Sequence, residues 1–268
     1  MSQNNPTKMP VLFIGHGSPM NVISDNAFTQ SLTNLGKTLS RPKAILVISA
    51  HWLTKGTRIL CMNKPKMIYD FYGFPQELYQ ITYPSPGFPE LAKQICNRVE
   101  SYNITCDYEW GYDHASWTIL NHMYPNADIP MLELSLDYRF NDWNVKPIEY
   151  HYNLGKELAF LREKGVLIVG SGNIVHNLGI IDWDVDAKVM GWAKELDELV
   201  KKNLLTKNHD ELINFQLMGE TAKVGIPTWD HYLPMIYTIA LQEEYEAMVF
   251  IHEGFQHGSV SMRCFQIG

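Results

Sequence analysis

Short runs of apolar and β-branched residues recur along the chain and are expected to form buried strands: Val11–Ile14, Ala44–Ser49, Arg58–Met62, Pro130–Leu136, Val166–Val169 and Ala247–Ile251. Most are uniformly apolar rather than alternating, as strands covered on both faces are. Helical spacing fills the intervals, at Ala27–Leu39, Pro89–Tyr102, Ser116–Tyr124, Lys146–Lys164, Asp186–Lys202 and His231–Gln242. The alternation predicts an α/β fold with a largely parallel or mixed central sheet and helices on both faces. No repeat, low-complexity tract or Gly/Ser-rich linker interrupts it, so residues 1–268 are expected to form a single domain.

In such sheets ligands gather at the carboxyl ends of the strands, and chemistry is sought just beyond each apolar run. VLFIGHGSP places His16 two residues past Ile14, AILVISAHW places His51 two past Ser49, and VLIVGSGNIVHNL places His176 a short Gly/Ser/Asn turn past Val169. In a parallel sheet these imidazoles converge at one edge. His231 in PTWDHYLP reads as a helix start capped by Asp230 or Thr228, and His114 in YDHASW lies at a similar loop-to-helix junction.

A lone histidine is more often a surface or hydrogen-bonded core residue than a ligand. What distinguishes His16, His51 and His176 is the small residues beside them, which let a ligand approach the backbone. His122, His151, His209, His252 and His257 lack that setting and read as structural, although glycines bracket the last in EGFQHG. A cluster of neutral imidazoles suits Zn(II), Fe(II), Cu(II) or Ni(II), whereas Mg(II) and Ca(II) call for grouped carboxylates. Serine nucleophiles are disfavoured, because neither GHGSP nor GSGN is a G-x-S-x-G elbow; GSGN also lacks dinucleotide or P-loop spacing and reads as a tight turn.

Composition narrows the partners. With 46% hydrophobic residues the chain can build a full core, and a net charge of −7 argues against nucleic acid. The apolar run in MSQNNPTKMPVLFIGHGSP is too brief and glycine-broken for a signal or a membrane span, so a soluble, cytoplasmic protein is expected. Cys61, Cys96, Cys106 and Cys264 are widely spaced without a CxxC pair and are expected to be reduced, mostly buried thiols.

Eight ordered segments carry a resemblance: GHGSPM (15–20), ISAHW (48–52), YDFYGFP (69–75), YPSPG (83–87), YDHASW (112–117), GSGNIVHNL (170–178), DHYLP (230–234) and EGFQHGSVSMR (253–263). In these the chain resembles, over nearly its whole length, the LigB-like class III extradiol ring-cleavage dioxygenases, within them the DOPA 4,5-dioxygenase branch. The resemblance implies one divalent metal ion per chain held by His16, His51 and His231. His176 is implied beside it as a fourth ligand or as the acid–base residue, and His114 as a substrate contact or proton relay. Fe(II) is implied for activity, and Zn(II) is expected to turn up in preparations. A small aromatic diol and O2 are the implied partners, and a muconic semialdehyde the product.

The better-known class members use two histidines and a glutamate; here His231 fills the glutamate's place. Tyr69, Phe71, Tyr72 and Phe74 of YDFYGFP suit packing on a flat ring, or equally closing a hydrophobic loop over the sheet. Tyr72 and Phe74, with Ser18, are the expected substrate-binding residues. Trp117 and Trp229 read as core packing. Two rival functions share the scaffold: a zinc hydrolase, in which the metal activates water, and a non-enzymatic binding protein of the Memo-like kind.

Overall fold

The apolar runs pair into one eight-stranded sheet in the computed structural model of the chain, which describes residues 8–138 and 148–268. Its strands are β1 (Val11–Gly15), β2 (Ala44–Thr54), β3 (Arg58–Leu60), β4 (Thr105–Asp107), β5 (Met131–Asp137), β6 (Val166–Gly172), β7 (Met248–His252) and β8 (Cys264–Ile267), in the order β4-β3-β5-β2-β6-β1-β8-β7. The central strands β5, β2, β6 and β1 are mutually parallel. Antiparallel neighbours β3 and β8 flank them, so the sheet is mixed.

Alternate side chains of the central strands feed two cores, which is why the strands read as continuous apolar runs. Phe13, Leu46, Ile48 and Ile168 pack with Leu154, Leu196, Val200, Leu233 and Ile236 from helices Ile148–Glu157, Gly191–Leu205 and Leu233–Ile239. On the opposite face Leu12, Ile14, Ile45, Val47, Leu167 and Val169 pack with Phe28, Leu32, Trp117 and Leu120 from helices Ala27–Thr38 and His114–Met123. Among the described residues no helix is long and apolar enough to cross a membrane.

Several boundaries differ from the sequence expectation. β2 continues to Thr54, so His51 lies within a strand; the pairing with β5 shifts register between Ile48 and Leu53, which frees residues 49–52 from the ladder with β5. β6 continues to Gly172, so GSGN holds strand residues where a tight turn was expected. A Cβ on Gly172 would lie 2.1 Å from the carbonyl oxygen of His231, and one on Gly170 2.4 Å from that of Pro234. The glycines are there to let the His231 segment lie against the strand end. That segment enters its helix only at Leu233, and neither Asp230 nor Thr228 caps it. Of the helix expected over Lys146–Lys164, residues 146 and 147 lie outside the described residues, and the rest divides into Ile148–Glu157 and Phe160–Glu163.

The thiol expectation is corrected at two positions. β3 and β4 pair in parallel, which brings Cys61 and Cys106 to a Cα–Cα distance of 5.3 Å in a disulfide across 45 residues of sequence. Cys96 and Cys264 remain free.

One buried ion pair closes the end of the sheet opposite the histidines. Arg162 is 1% exposed and its guanidinium donates to both carboxylate oxygens of Glu246 (2.8 and 2.5 Å) and to the carbonyls of Met9 and Leu241. Burial raises the Glu246 pKa, but hydrogen bonds from Arg162 and the Glu243 backbone outweigh it and bring it from 4.5 down to about 2. The folded pKa is depressed, so this contribution is fully present above pH 4.5 and is lost as the pH falls toward 2. Glu246→Gln is expected to destabilise the fold by about 3 kcal/mol at pH 7, because it leaves the guanidinium buried without its countercharge. Urea unfolding at pH 7 and pH 3 should show the difference between variant and wild type shrink at the lower pH.

Candidate metal centre

His16 follows β1 directly, and its backbone N–H donates to the carbonyl of Gly172 at the end of β6 (3.1 Å). Asn173 ties the neighbouring loops together: its backbone N–H donates to the His231 carbonyl (2.9 Å), its Oδ1 accepts from Gly17 N (3.4 Å), and its side-chain amide donates to Ser261 (2.7 Å). The parallel strands β1, β2 and β6 therefore deliver His16, His51 and the His231 loop to one sheet edge, where ligands of such sheets gather. One nitrogen from each of His16, His51 and His231 lies within 4.8 Å of the others.

The groups facing each Nδ1 fix which nitrogens these are. Ser171 Oγ donates its only proton to the Ala115 carbonyl (2.6 Å), so at 3.1 Å from His16 Nδ1 it accepts, and His16 carries its proton on Nδ1. His231 Nδ1 lies 2.5 Å from the carboxylate of Asp230, and His51 Nδ1 lies 2.9 Å from that of Asp70. All three rings thus turn Nε2, with its lone pair, toward the centre. Nε2 of His16 and His51 are 3.3 Å apart. Ligand nitrogens about 2.0–2.1 Å from one ion lie roughly 2.8–3.4 Å from each other, so the donor set fits a single transition-metal ion, and buried lone pairs facing one another call for a cation between them.

The surroundings favour neutral imidazoles. Burial, and then the neighbouring His51, pushes the pKa of His16 well below 6.5. Burial and then His231 does the same to His176, and burial lowers His114 and His231 less far. His51 is the exception: burial opposes its protonation, but Asp70, with Asp113 and Asp230 behind it, raises its pKa. Asp113 itself is fully buried, accepts from Ser49 Oγ (2.7 Å) and caps the helix that begins at His114.

The other expected site residues take up distinct places. His176 lies flat on His231, ring centroids 3.5 Å apart with planes 8° from parallel, and is not among the nitrogens grouped within 4.8 Å. His114 meets His51 edge to face at 4.1 Å. From the aromatic segment it is Phe71 that reaches the centre, 5.6 Å from the His114 ring, with Phe74 packed behind it at 5.3 Å. Tyr72 is 93% exposed and points to solvent. Ser18 caps a short turn, accepting from Met20 N, and lines a cavity of about 860 Å³ with Phe28, Trp183 and His257. Trp117 is fully buried, and its indole donates to Ile68 O (3.1 Å).

The histidines read as structural are so placed. His122 bonds Asn21 O, His151 the hydroxyl of Tyr237, His209 that of Tyr152 and His257 the carbonyl of Asp182, while His252 packs against Phe28. Sequence reasoning missed Asp70 and Ser171 and mistook the part played by Asp230, because what each does depends on a partner placed by the tertiary fold.

Fold and centre together define an α/β protein whose parallel strand ends gather a nitrogen-rich cluster suited to a transition-metal ion. The pattern of the catalytic LigB subunit of aromatic ring-opening dioxygenase matches residues 10–260, and the chain belongs to this family. It is an extradiol aromatic ring-opening dioxygenase. It is 45% identical over 266 residues to the 4,5-DOPA dioxygenase extradiol of Escherichia coli (strain K12), covering 98% of this chain and 96% of that one. It is 33% identical to the protein of the same description from Beta vulgaris, covering 93% and 92% of the two chains. Among solved structures, that of uncharacterized protein JW3007 from Escherichia coli K12 superposes with a TM-score of 0.83 at 42% identity, covering 97% of this chain and 100% of the other. Membership sets aside the zinc-hydrolase and the Memo-like, non-enzymatic readings.

Proposed function

We propose that the whole chain acts in the cytoplasm as one catalytic unit that cleaves a catechol bearing an amino-acid side chain, DOPA or a close analogue, to a muconic semialdehyde with both atoms of O2. His16, His51 and His231 hold the ion in this reading, Fe(II) for turnover and Zn(II) as the inert occupant of many preparations. The observation that carries it is the set of Nε2 atoms turned on one point while each Nδ1 is engaged elsewhere. Bound there, Fe(II) supplies the electron exchange between ring and dioxygen that Zn(II), without redox chemistry, does not.

The chain's own residues handle position and protons. His176, stacked on His231 and outside the grouped nitrogens, serves as the acid–base residue and not as a fourth ligand. Its ring makes no hydrogen bond among the described residues, so a ring nitrogen is open to take a catechol hydroxyl proton and later return it. His114 contacts substrate beside Phe71, whose ring with that of Phe74 offers edge contacts to the catechol plane. In this reading Ser18, two residues past His16, and the exposed Tyr72, next to Phe71, meet the outer part of the substrate.

The test is isotopic. Chain loaded anaerobically with Fe(II), then given L-DOPA under ¹⁸O2, is expected to consume about one O2 per substrate and to yield a yellow product about 4 Da heavier than under ordinary oxygen. Absence of uptake, or hydrogen peroxide released in place of label, would refute it.

A further inference from the structure

Asp70 touches two of the central imidazoles with one atom. Its Oδ2 lies 2.9 Å from Nδ1 of His51 and 3.0 Å from Nδ1 of His114, and its Oδ1 accepts the backbone N–H of His114 at 2.9 Å. Both side-chain contacts are ion-pair contacts rather than in-line hydrogen bonds, as expected of one oxygen shared between two rings. The His114 N–H holds the carboxylate in this orientation, and the chain on either side of Asp70 is anchored: the hydroxyl of Tyr69 donates to Ile81 O (2.6 Å), and Phe71 packs against His114 and Tyr79.

We infer that Asp70 is a positioning residue that sets the tautomer of both His51 and His114, so that the metal-facing nitrogen of one and the open nitrogen of the other are fixed by a single carboxylate. The metal half of this inference rests on His51 being a ligand, as proposed above.

A carboxylate oxygen accepts and does not donate. An unprotonated Nδ1 held 3 Å from it would set lone pair against negative charge, so each Nδ1 carries a proton. A neutral imidazole has one N–H and one lone pair, which leaves Nε2 of His51 free to bind an ion and Nε2 of His114 free to accept a proton. His114 is then held as an acceptor in a ring 5.6 Å from His16 and 4.1 Å from His51. The same atom that makes His51 a ligand makes His114 unable to donate from the side facing the centre. Were Asp70 neutral or amidic, either ring could flip its proton to Nε2, and at His51 that proton would occupy the position of the ion.

The experiment is long-range ¹H–¹⁵N NMR of the histidine rings in the zinc-loaded chain at pH 8, assigned with single His variants, alongside zinc affinity by chelator competition. Wild type is expected to show Nδ1–H at both His51 and His114. In Asp70→Asn, His114 is expected to shift to the Nε2–H form and zinc affinity to fall about 10–100-fold, the usual loss when a ligand's orienting partner is removed. Asp70→Glu, which keeps the carboxylate, is expected to restore the Nδ1–H signal at least in part. A wild-type His114 with its proton on Nε2 overturns the inference without any variant, and so does an Asn variant with unchanged tautomers and affinity. His51→Ala separates the two readings: zinc held as tightly as in wild type would overturn the ligand assignment and the metal half with it, leaving the His114 result to stand or fall on its own spectrum.

Discussion

His231→Ala is expected to lower ring cleavage by more than about 10³-fold and to leave the chain unable to retain iron through desalting. The loss should exceed the roughly 10–100-fold that follows removal of a residue that merely orients a ligand. Two things go at once: one of three Nε2 donors, and the partner that holds the half-buried carboxylate of Asp230 far below its usual pKa. A folding defect is distinguished by thermal melting. A site that binds only the folded state stabilises it by about 2.7 kcal/mol at a ligand concentration of 100 Kd, so zinc should raise the Tm of wild type and not of the variant. His16→Ala and His51→Ala are expected to behave alike, since each ring supplies one of the converging nitrogens.

The second large effect separates ligand from acid–base residue. His176→Gln is expected to keep about one metal ion per chain while kcat falls on the order of 10²–10⁴-fold, the range for losing a positioned general acid–base group. KM for the catechol should change far less. The expectation follows from the flat stacking of His176 on His231: parallel rings 3.5 Å apart cannot both aim a nitrogen at one ion. Metal analysis with steady-state kinetics decides it, and a metal content reduced as far as in His231→Ala would make His176 a ligand after all.

How much of this could be read from the chain depends on whether the signal is local. Buried parallel strands announce themselves because both faces must be apolar, so Val11–Ile14, Ala44–Ser49 and Val166–Val169 marked β1, β2 and β6, and with them the edge where His16 and His51 meet. The last strand, Cys264–Ile267, was not among the expected strands; it is four residues long with Gln266 in it, and it forms because β1 and β7 offer it edges. The strand extensions past Ser49 and Val169 were equally hidden, since Ala50 and His51 interrupt the first apolar run and Gly170, Ser171 and Gly172 end the second.

Partners were less legible than positions. Nothing near YDFYGFP shows that Asp70 will meet His51 and His114, 19 and 44 residues away, and nothing near Cys61 shows Cys106. The aromatic segment shows the same division: its clustering was visible, but which ring turns inward was not, and Phe71 rather than Tyr72 faces the centre.

The ion's place is tested most directly by anomalous diffraction from crystals soaked anaerobically with Fe(II), recorded on either side of the iron edge. A single peak among Nε2 of His16, His51 and His231 is what the geometry requires. A peak instead between His51, Asp70 and His114, the other grouping of donors among the described residues, would contradict it.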